Sequence, residues 1–420
     1  MDLKVDKIKL GNGINLNLIY TDKFKSNLLS YYIVRPLNRE DVTKNALLPL
    51  VLKRGNQKLN TTLEVEQKLD ELYGSNLSLT VNKRGEKHVI RFTLEWADGS
   101  YFNDDSYNLK TVDLLNDIVF NPYLENDSFS KEYVRQEKEN LKDKIEGKIN
   151  SKRSYAVDRC IEEMCKSEAF SLYSFGYVED LPSIDEKNLY EHYKNVINNS
   201  PIEIIYVGKY DEKLISHIKE SNKMNRQNII HLSREKIDYD IEEVNVVRER
   251  LDVNQGKLVL GYRTGIPFEE NLYNGLLIAS DILGGGPNSK LFRHVREENS
   301  LAYYIGSMVI KYKSILLIDG GIEFENYDKT TKIINEQIEK MRNGDFSDDD
   351  IEISKKAIKA STESIKDSTY LISEFFFSQQ LSNDFRSLEE VLNDIDNVNR
   401  EDIIEASRHI ALDTIYFMSK

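Results

Sequence analysis

Only two cysteines occur in the 420 residues, Cys160 and Cys165. Five residues apart on one helical pattern, AVDRCIEEMCKSEAF, they point in different directions. That argues against a disulfide and for small buried or half-buried thiols in a reducing cytoplasm. No further cysteine or nearby histidine completes a metal site with them. The histidines, His88, His192, His217, His231, His294 and His409, are scattered, and no two stand at metal-ligand spacing. No apolar run reaches membrane-spanning length. The N-terminal MDLKVDKIKLGNG alternates like a strand and has no signal-peptide core. Positive charge is in deficit. A formal net charge of −14 argues against a general nucleic-acid binder and suits soluble cytoplasmic life. The nucleophile-elbow pattern GxSxG and the phosphate-loop pattern GxxxxGK(S/T) are also missing, as is any Cys–His arrangement fit for nucleophilic catalysis.

What is present is enough apolar material for packed interiors: 40% of residues are hydrophobic and 10% aromatic. The length exceeds one ordinary core. Internal repetition organises it. The first half reads as strands at 5–10, 14–20 and 28–35, helices at 44–54 and 63–74, then strands NLSLTVNKRG and EKHVIRFTLEW. Helices follow at 107–119 and 129–152, with more helix to about 168, and at 184–197, before a closing strand IEIIYVG. The second half repeats the order, from strands at 243–250 and 257–263 to a last strand TIYFMS. FSKEYVRQEKENLK parallels FSDDDIEISKKAIK, and IEIIYVG parallels TIYFMSK, at offsets of roughly 210 to 220 residues. The fold class is therefore α+β: two homologous units, each an antiparallel sheet covered by helices on one face. Their expected bounds are 1–220 and 243–420, with 221–242 as a charged linker crossing the surface.

Residues 283–307, LGGGPNSKLFRHVREENSLAYYIGS, hold the densest functional signal. Gly284, Gly285 and Gly286 end one helical pattern, Asn288 or Ser289 caps the next, and Arg296 lies near that helix's end. Tyr303, seven residues on, starts an apolar strand-like run. A helix–turn–strand of this kind can bring a guanidinium and a phenol to one wall, where they act as donors to a carbonyl or an oxyanion. Alternation sends Tyr303 and Tyr304 to opposite faces. His294 is expected to face solvent, and His88 to be an ordinary strand residue. The acidic DFSDDDIEIS matches a helix N-terminus, and EFFFSQQL reads as core.

An α+β unit repeated after a linker, with xGGGxxSxLFxxVRExxxLAYxIxS in the second copy, resembles the pitrilysin/insulinase-type zinc metallopeptidases over nearly the whole chain. Within that family it is similar to the metal-site-less group associated with aminopentanol modification of elongation factor P. NALLPLVLKRG, DELYGSNLSLTVNKRGEKHVIRFTLEW and FGYVEDLPSI carry that similarity. The resemblance implies that Arg296 and Tyr303 bind substrate and stabilise the transition state, and that Gly284, Gly285 and Gly286 line the cleft of a peptidase-like clamp half.

The first half departs from the family at its metal motif. Active members carry HxxEH on a helix ending just before a glycine. Counting back from Gly55, the two histidine positions hold Ala46 and Leu50, and the glutamate position holds Pro49. Two imidazoles at i and i+4 grip zinc while the glutamate deprotonates its water, and none of these three residues can replace them. The remaining ligand position corresponds to Glu137, read as structural or vestigial. The resemblance thus implies no metal in this chain, zinc only in a partner chain of similar length carrying HxxEH, and a peptide or unfolded polypeptide as substrate. No nucleic-acid or membrane partner is expected, and a homodimer is left open for the chain alone. The alternative is a non-proteolytic scaffold or peptide-binding protein of the same fold.

Overall fold

The computed structural model describes residues 4–102, 104 and 106–420. Strands β1 (Lys4–Gly11), β2 (Ile14–Tyr20) and β3 (Ser26–Pro36) precede helices α1 (Val42–Leu52) and α2 (Thr62–Glu71). Strands β4 (Asn76–Arg84) and β5 (Lys87–Ala97) follow. Then come α3 (Tyr107–Phe120), α4 (Lys131–Glu146), α5 (Lys152–Met164), α6 (Glu186–Asn199), β6 (Ile202–Gly208) and α7 (Glu212–Ser221). The second half runs β7 (Asn245–Arg250), β8 (Gly256–Arg263), α8 (Leu272–Gly284), β9 (Ala302–Ile310), β10 (Ile315–Ile322), α9 (Tyr327–Arg342) and α10 (Asp348–Glu363). It ends with α11 (Thr369–Ser382), α12 (Leu388–Asn397), α13 (Arg400–Arg408) and β11 (Ala411–Ser419). The helical stretch predicted from 129 to about 168 breaks into α4 and α5 at the turn Gly147–Asn150. DFSDDDIEIS opens α10 as expected, with a capping box between Ser347 and Asp350.

Two sheets result, ordered β1-β2-β6-β3-β5-β4 and β7-β11-β8-β10-β9. The α+β class with two units holds, and two details differ from the sequence reading. Each sheet, expected to be antiparallel, contains one parallel pair, β2–β6 and β7–β11. The cause is topological: β6 inserts between β2 and β3, so pairing antiparallel to β3 makes it parallel to β2. In addition, neither sheet has a bare face.

The compact units do not follow chain order. Unit 1 combines the chain up to Glu146 with Leu172–Ser233 and Ile365–Phe385; unit 2 combines Gly147–Ser171, Arg234–Ser364 and Arg386–Lys420. Each half of the chain therefore gives one helix to the other unit: α5 belongs to unit 2 and α11 to unit 1. Strand alternation explains why those helices are needed. In unit 1, Leu29, Tyr31, Ile33, Ile90 and Ile204 face the helices led by α1, α3 and α6. Their neighbours Leu28, Tyr32, Val34, Val89 and Ile205 face the other way and are closed by Ile372, Phe376 and Phe377 of α11. In unit 2, Val259, Leu317 and Tyr416 are closed by Ala156, Cys160 and Met164 of α5. EFFFSQQL is core, as expected, but the core it fills is that of unit 1.

Ion pairs fasten both exchanged segments. Glu374 of α11 accepts from Arg91 Nη1 at 2.7 Å and Arg84 Nη2 at 2.6 Å, and Tyr32 Oη lies 3.3 Å away. In unit 2 the roles hold with other residues. Glu168, just beyond α5, pairs with Arg263 and, at 2.6 Å, with Lys313, whose side chain is 0% exposed. Glu249 of β7 takes hydrogen bonds from Tyr155 and Tyr416, each at 2.8 Å, and an ion pair from Arg159.

The linker crosses the surface largely exposed, as its charge suggested, and is anchored at a few points. Arg226 is buried and donates to the carbonyls of Asn198 and Ser200 at the C-terminal end of α6, where a cation suits the helix dipole. Leu232 joins the α11-side cluster of unit 1, and the Tyr239 ring lies 4.3 Å from the Arg263 guanidinium in unit 2. A charged composition conceals these anchors because they lie among exposed charged residues.

Removing one member of a buried pair strands the other charge. Glu168→Ala leaves Lys313 and Arg263 without it and is expected to lower stability by about 3–5 kcal/mol, read as a shift in urea midpoint. Asp367→Ala, which breaks the exposed pair with Lys23, is the control and should cost under about 1 kcal/mol. Equal small shifts would refute the latch.

A second prediction concerns pH. Glu203 of β6 accepts from Asn15 Nδ2 at 2.7 Å and Asn17 Nδ2 at 3.2 Å, yet burial pushes its carboxyl up to about 7 from 4.5. Between those values the folded chain binds more proton than the unfolded one, so this group's stability contribution is full below pH 4.5 and is lost as pH rises through 7. Glu203→Gln should therefore be more stable than the parent at pH 8, with the gap closing toward pH of about 4.5, as followed by thermal melting. A pH-independent difference between the two curves would contradict it.

Candidate functional site

Helix α1 carries the degenerate motif. It is apolar on nearly every side and packs against α4. Ala46 and Pro49 are buried, and Leu50 is half-buried against the unit 1 core. Pro49 inside the helix has no N–H to give to Asn45. Ala46, Leu50 and Arg54 succeed one another at intervals of four, one helical stripe. Arg54, just past the helix end, sends its Nε to Glu137 Oε1 of α4 at 2.8 Å. Asn140 Nδ2 donates to the other oxygen at 3.0 Å. Glu137 does point inward, as its helical position implied, and its charge is met by a guanidinium.

These residues do not fit the zinc ion that the family uses. Two ligand positions are hydrocarbon, the general-base position is a proline, and the remaining carboxylate is engaged by Arg54. Among the described residues no group of three or more His, Cys, Asp or Glu side chains is arranged to hold a metal ion. Arg54 was missed in the sequence reading, although its place four residues beyond Leu50 was a usable signal.

His88 is not an ordinary strand residue; it belongs to a buried polar chain beneath α1. Its Nε2–H donates to the Ser174 carbonyl at 2.9 Å and its Nδ1 accepts from Asn45 Nδ2 at 3.2 Å. Asn45 Oδ1 in turn accepts from His192 Nε2 at 2.8 Å. Burial holds both imidazoles down to about 4, so they are neutral near pH 7. Strand alternation gives no hint of this chain, because the partners come from four separate segments.

The second-half motif lies wholly in unit 2. Gly285 caps α8 in a right-handed helical conformation, φ −78°. A Cβ on Gly284 would come within 2.6 Å of Ser307 N, so the end of α8 approaches β9 only because that side chain is absent; Gly286 faces open space. Ser289 Oγ accepts from Phe292 N at 3.4 Å and opens the turn 292–297, which is a π-helix. π-Helical turns often mark functional positions. His294, expected in solvent, is half-buried and paired with Glu298 at 2.7 Å.

Arg296 and Tyr303 come together. The guanidinium carbon lies 6.0 Å from the Tyr303 ring centre and 4.7 Å from that of Phe292. Tyr303 is 75% exposed and Arg296 is also exposed. Neither side chain is hydrogen-bonded or ion-paired to any described residue, although Glu297 and Glu298 follow Arg296 directly. Tyr303 stands on β9, the end strand of its sheet. Tyr304 turns to the opposite face, beneath Arg153 of α5.

Two α+β units, one holding a disabled HxxEH helix and the other an exposed Arg–Tyr pair, define a metallopeptidase-type fold without the water-activating residues. Comparison agrees. Residues 183–358 match the family described as Peptidase M16 inactive domain. The chain is 38% identical over 408 residues to the protein named "Probable inactive metalloprotease YmfF" of Bacillus subtilis (strain 168), covering 97% of this chain and 96% of that one. A conserved protein from Enterococcus faecalis V583 superposes with a TM-score of 0.90 at 26% identity, covering 99% of this chain and 98% of that one. The peptidase M16 inactive domain from Pseudomonas fluorescens has the same fold, with a TM-score of 0.83 at 14% identity over 99% and 98% of the two chains. This chain belongs to the M16, or pitrilysin/insulinase-type, peptidase family. No helix among the described residues is long and apolar enough to cross a membrane.

The purified chain should carry no stoichiometric zinc after dialysis against zinc-containing buffer, as measured by plasma emission spectrometry. One tightly held equivalent would overturn the reading of α1 and Glu137.

Proposed function

We propose that this chain is the non-catalytic subunit of a heterodimeric zinc metallopeptidase. Its partner is an M16 chain of similar length that carries HxxEH and the zinc. This chain contributes Arg296 and Tyr303, which bind the peptide and donate to the oxyanion of the tetrahedral intermediate. The observation that supports this reading is their proximity: two strong donors, both exposed and neither hydrogen-bonded to a described residue, one on the end strand β9 and the other on the turn leading into it. An edge strand such as β9 also offers backbone groups to which an extended peptide can add.

The test is reconstitution with an HxxEH-bearing chain and an unfolded peptide. Cleavage should require both chains, and Arg296→Ala or Tyr303→Phe should lower kcat/KM by about tenfold or more. Full activity in both variants would remove the transition-state role. A stable complex that cleaves nothing would favour a scaffold instead.

A further inference from the structure

On the α5 side of β9 lies a group of side chains that the proposed function does not use. Tyr304 points there, with the Arg153 guanidinium 4.5 Å and the Lys257 ammonium 5.3 Å from its ring centre. Their charges are uneven. The buried Asp319 is ion-paired to Arg153, with Nη2 at 3.0 Å and Nε as the second donor. Lys257 is half-buried and makes one hydrogen bond, 2.8 Å to Gln255 Oε1. It forms no ion pair with a described residue, and the Tyr304 hydroxyl has no described hydrogen-bond partner. Burial, and after it repulsion from Arg153, draws Lys257 below the usual lysine range, and attraction to the Arg153-paired Asp319 only partly offsets this. The group is built closely: a Cβ on Gly321 would come within 2.6 Å of both Tyr304 Cε1 and Gln255 Oε1.

An ammonium carries three donors, and a partly desolvated one with a single neutral acceptor gains from a carboxylate. We propose that Lys257, Arg153 and Tyr304 form a carboxylate subsite for a peptide lying along β9. This rests on the reading of β9 and Arg296/Tyr303 given above. Consecutive side chains of an added strand face opposite ways. A residue aimed at Arg296 and Tyr303 is therefore followed by one on the face of Tyr304, toward which Lys257 reaches across β10 from β8. The ligand class is an extended peptide with Asp or Glu at that alternate position.

Fluorescence anisotropy with the full chain tests this, using short blocked peptides that differ only in Glu, Gln or Lys at alternate positions. The Glu peptide should bind roughly tenfold more tightly than the Gln peptide. Lys257→Met should abolish the preference, and Lys257→Glu should turn it toward the Lys peptide, an inversion that misfolding cannot produce. Arg296→Ala should weaken the Glu and Gln peptides alike. Equal affinities in the parent, or a Glu preference surviving in Lys257→Met, would overturn the subsite; the Arg296/Tyr303 reading would stand if Arg296→Ala still weakens binding. Absence of binding by every peptide would remove both.

Discussion

Each sheet needs a helix from the other half of the chain, and buried charge fixes that helix in place. Hydrophobic burial supplies most of the drive, since Ile372, Phe376 and Phe377 in one unit and Ala156, Cys160 and Met164 in the other cover faces that would otherwise meet water. Apolar contact alone sets position loosely. The half-buried Glu374 between Arg84 and Arg91, and the buried Glu168 between Arg263 and Lys313, supply direction, because a carboxylate drawn out of water tolerates only positions where its cations can follow. The β9 edge, Tyr303 and Tyr304 all depend on a sheet whose second face is closed in this way.

The disabled metal motif is more than a set of missing ligands. Loss of imidazoles alone would leave Glu137 as a buried, unpaired carboxylate, a costly arrangement. Arg54 removes that cost from the same helical stripe. An interior proline and a core alanine then commit α1 to packing. The second half has the opposite character: Arg296 and Tyr303 are exposed and make no hydrogen bond or ion pair with a described residue, positions at which nothing in the fold itself requires an arginine or a tyrosine.

The local elements were largely legible in the sequence because they follow period and punctuation. The alternation of HVIRFTLEW, the SDDD start of α10 and the glycine stop of α8 each act within a few residues. The Arg–Tyr proximity was legible for the same reason, being a single helix–turn–strand. What escaped notice depends on contacts between distant segments. The exchange of α5 and α11, the chain from His88 through Asn45 to His192, and the linker anchors at Arg226 and Tyr239 leave no periodic trace. His88 shows the limit well: the same alternation that correctly made it a strand residue hid its role.

The placement of α11 also bears on how the chain is made. A ribosome releases β1 to β6 long before Thr369–Ser382 emerges. Through that interval Tyr32, Val34, Val89 and Ile205 have only peripheral cover, from residues such as Phe24 and Leu232, so the first-made sheet waits in a sticky, half-dressed form. Nascent-chain holdases would find their natural client there, and a truncated message would yield a fragment prone to clumping rather than a smaller folded protein.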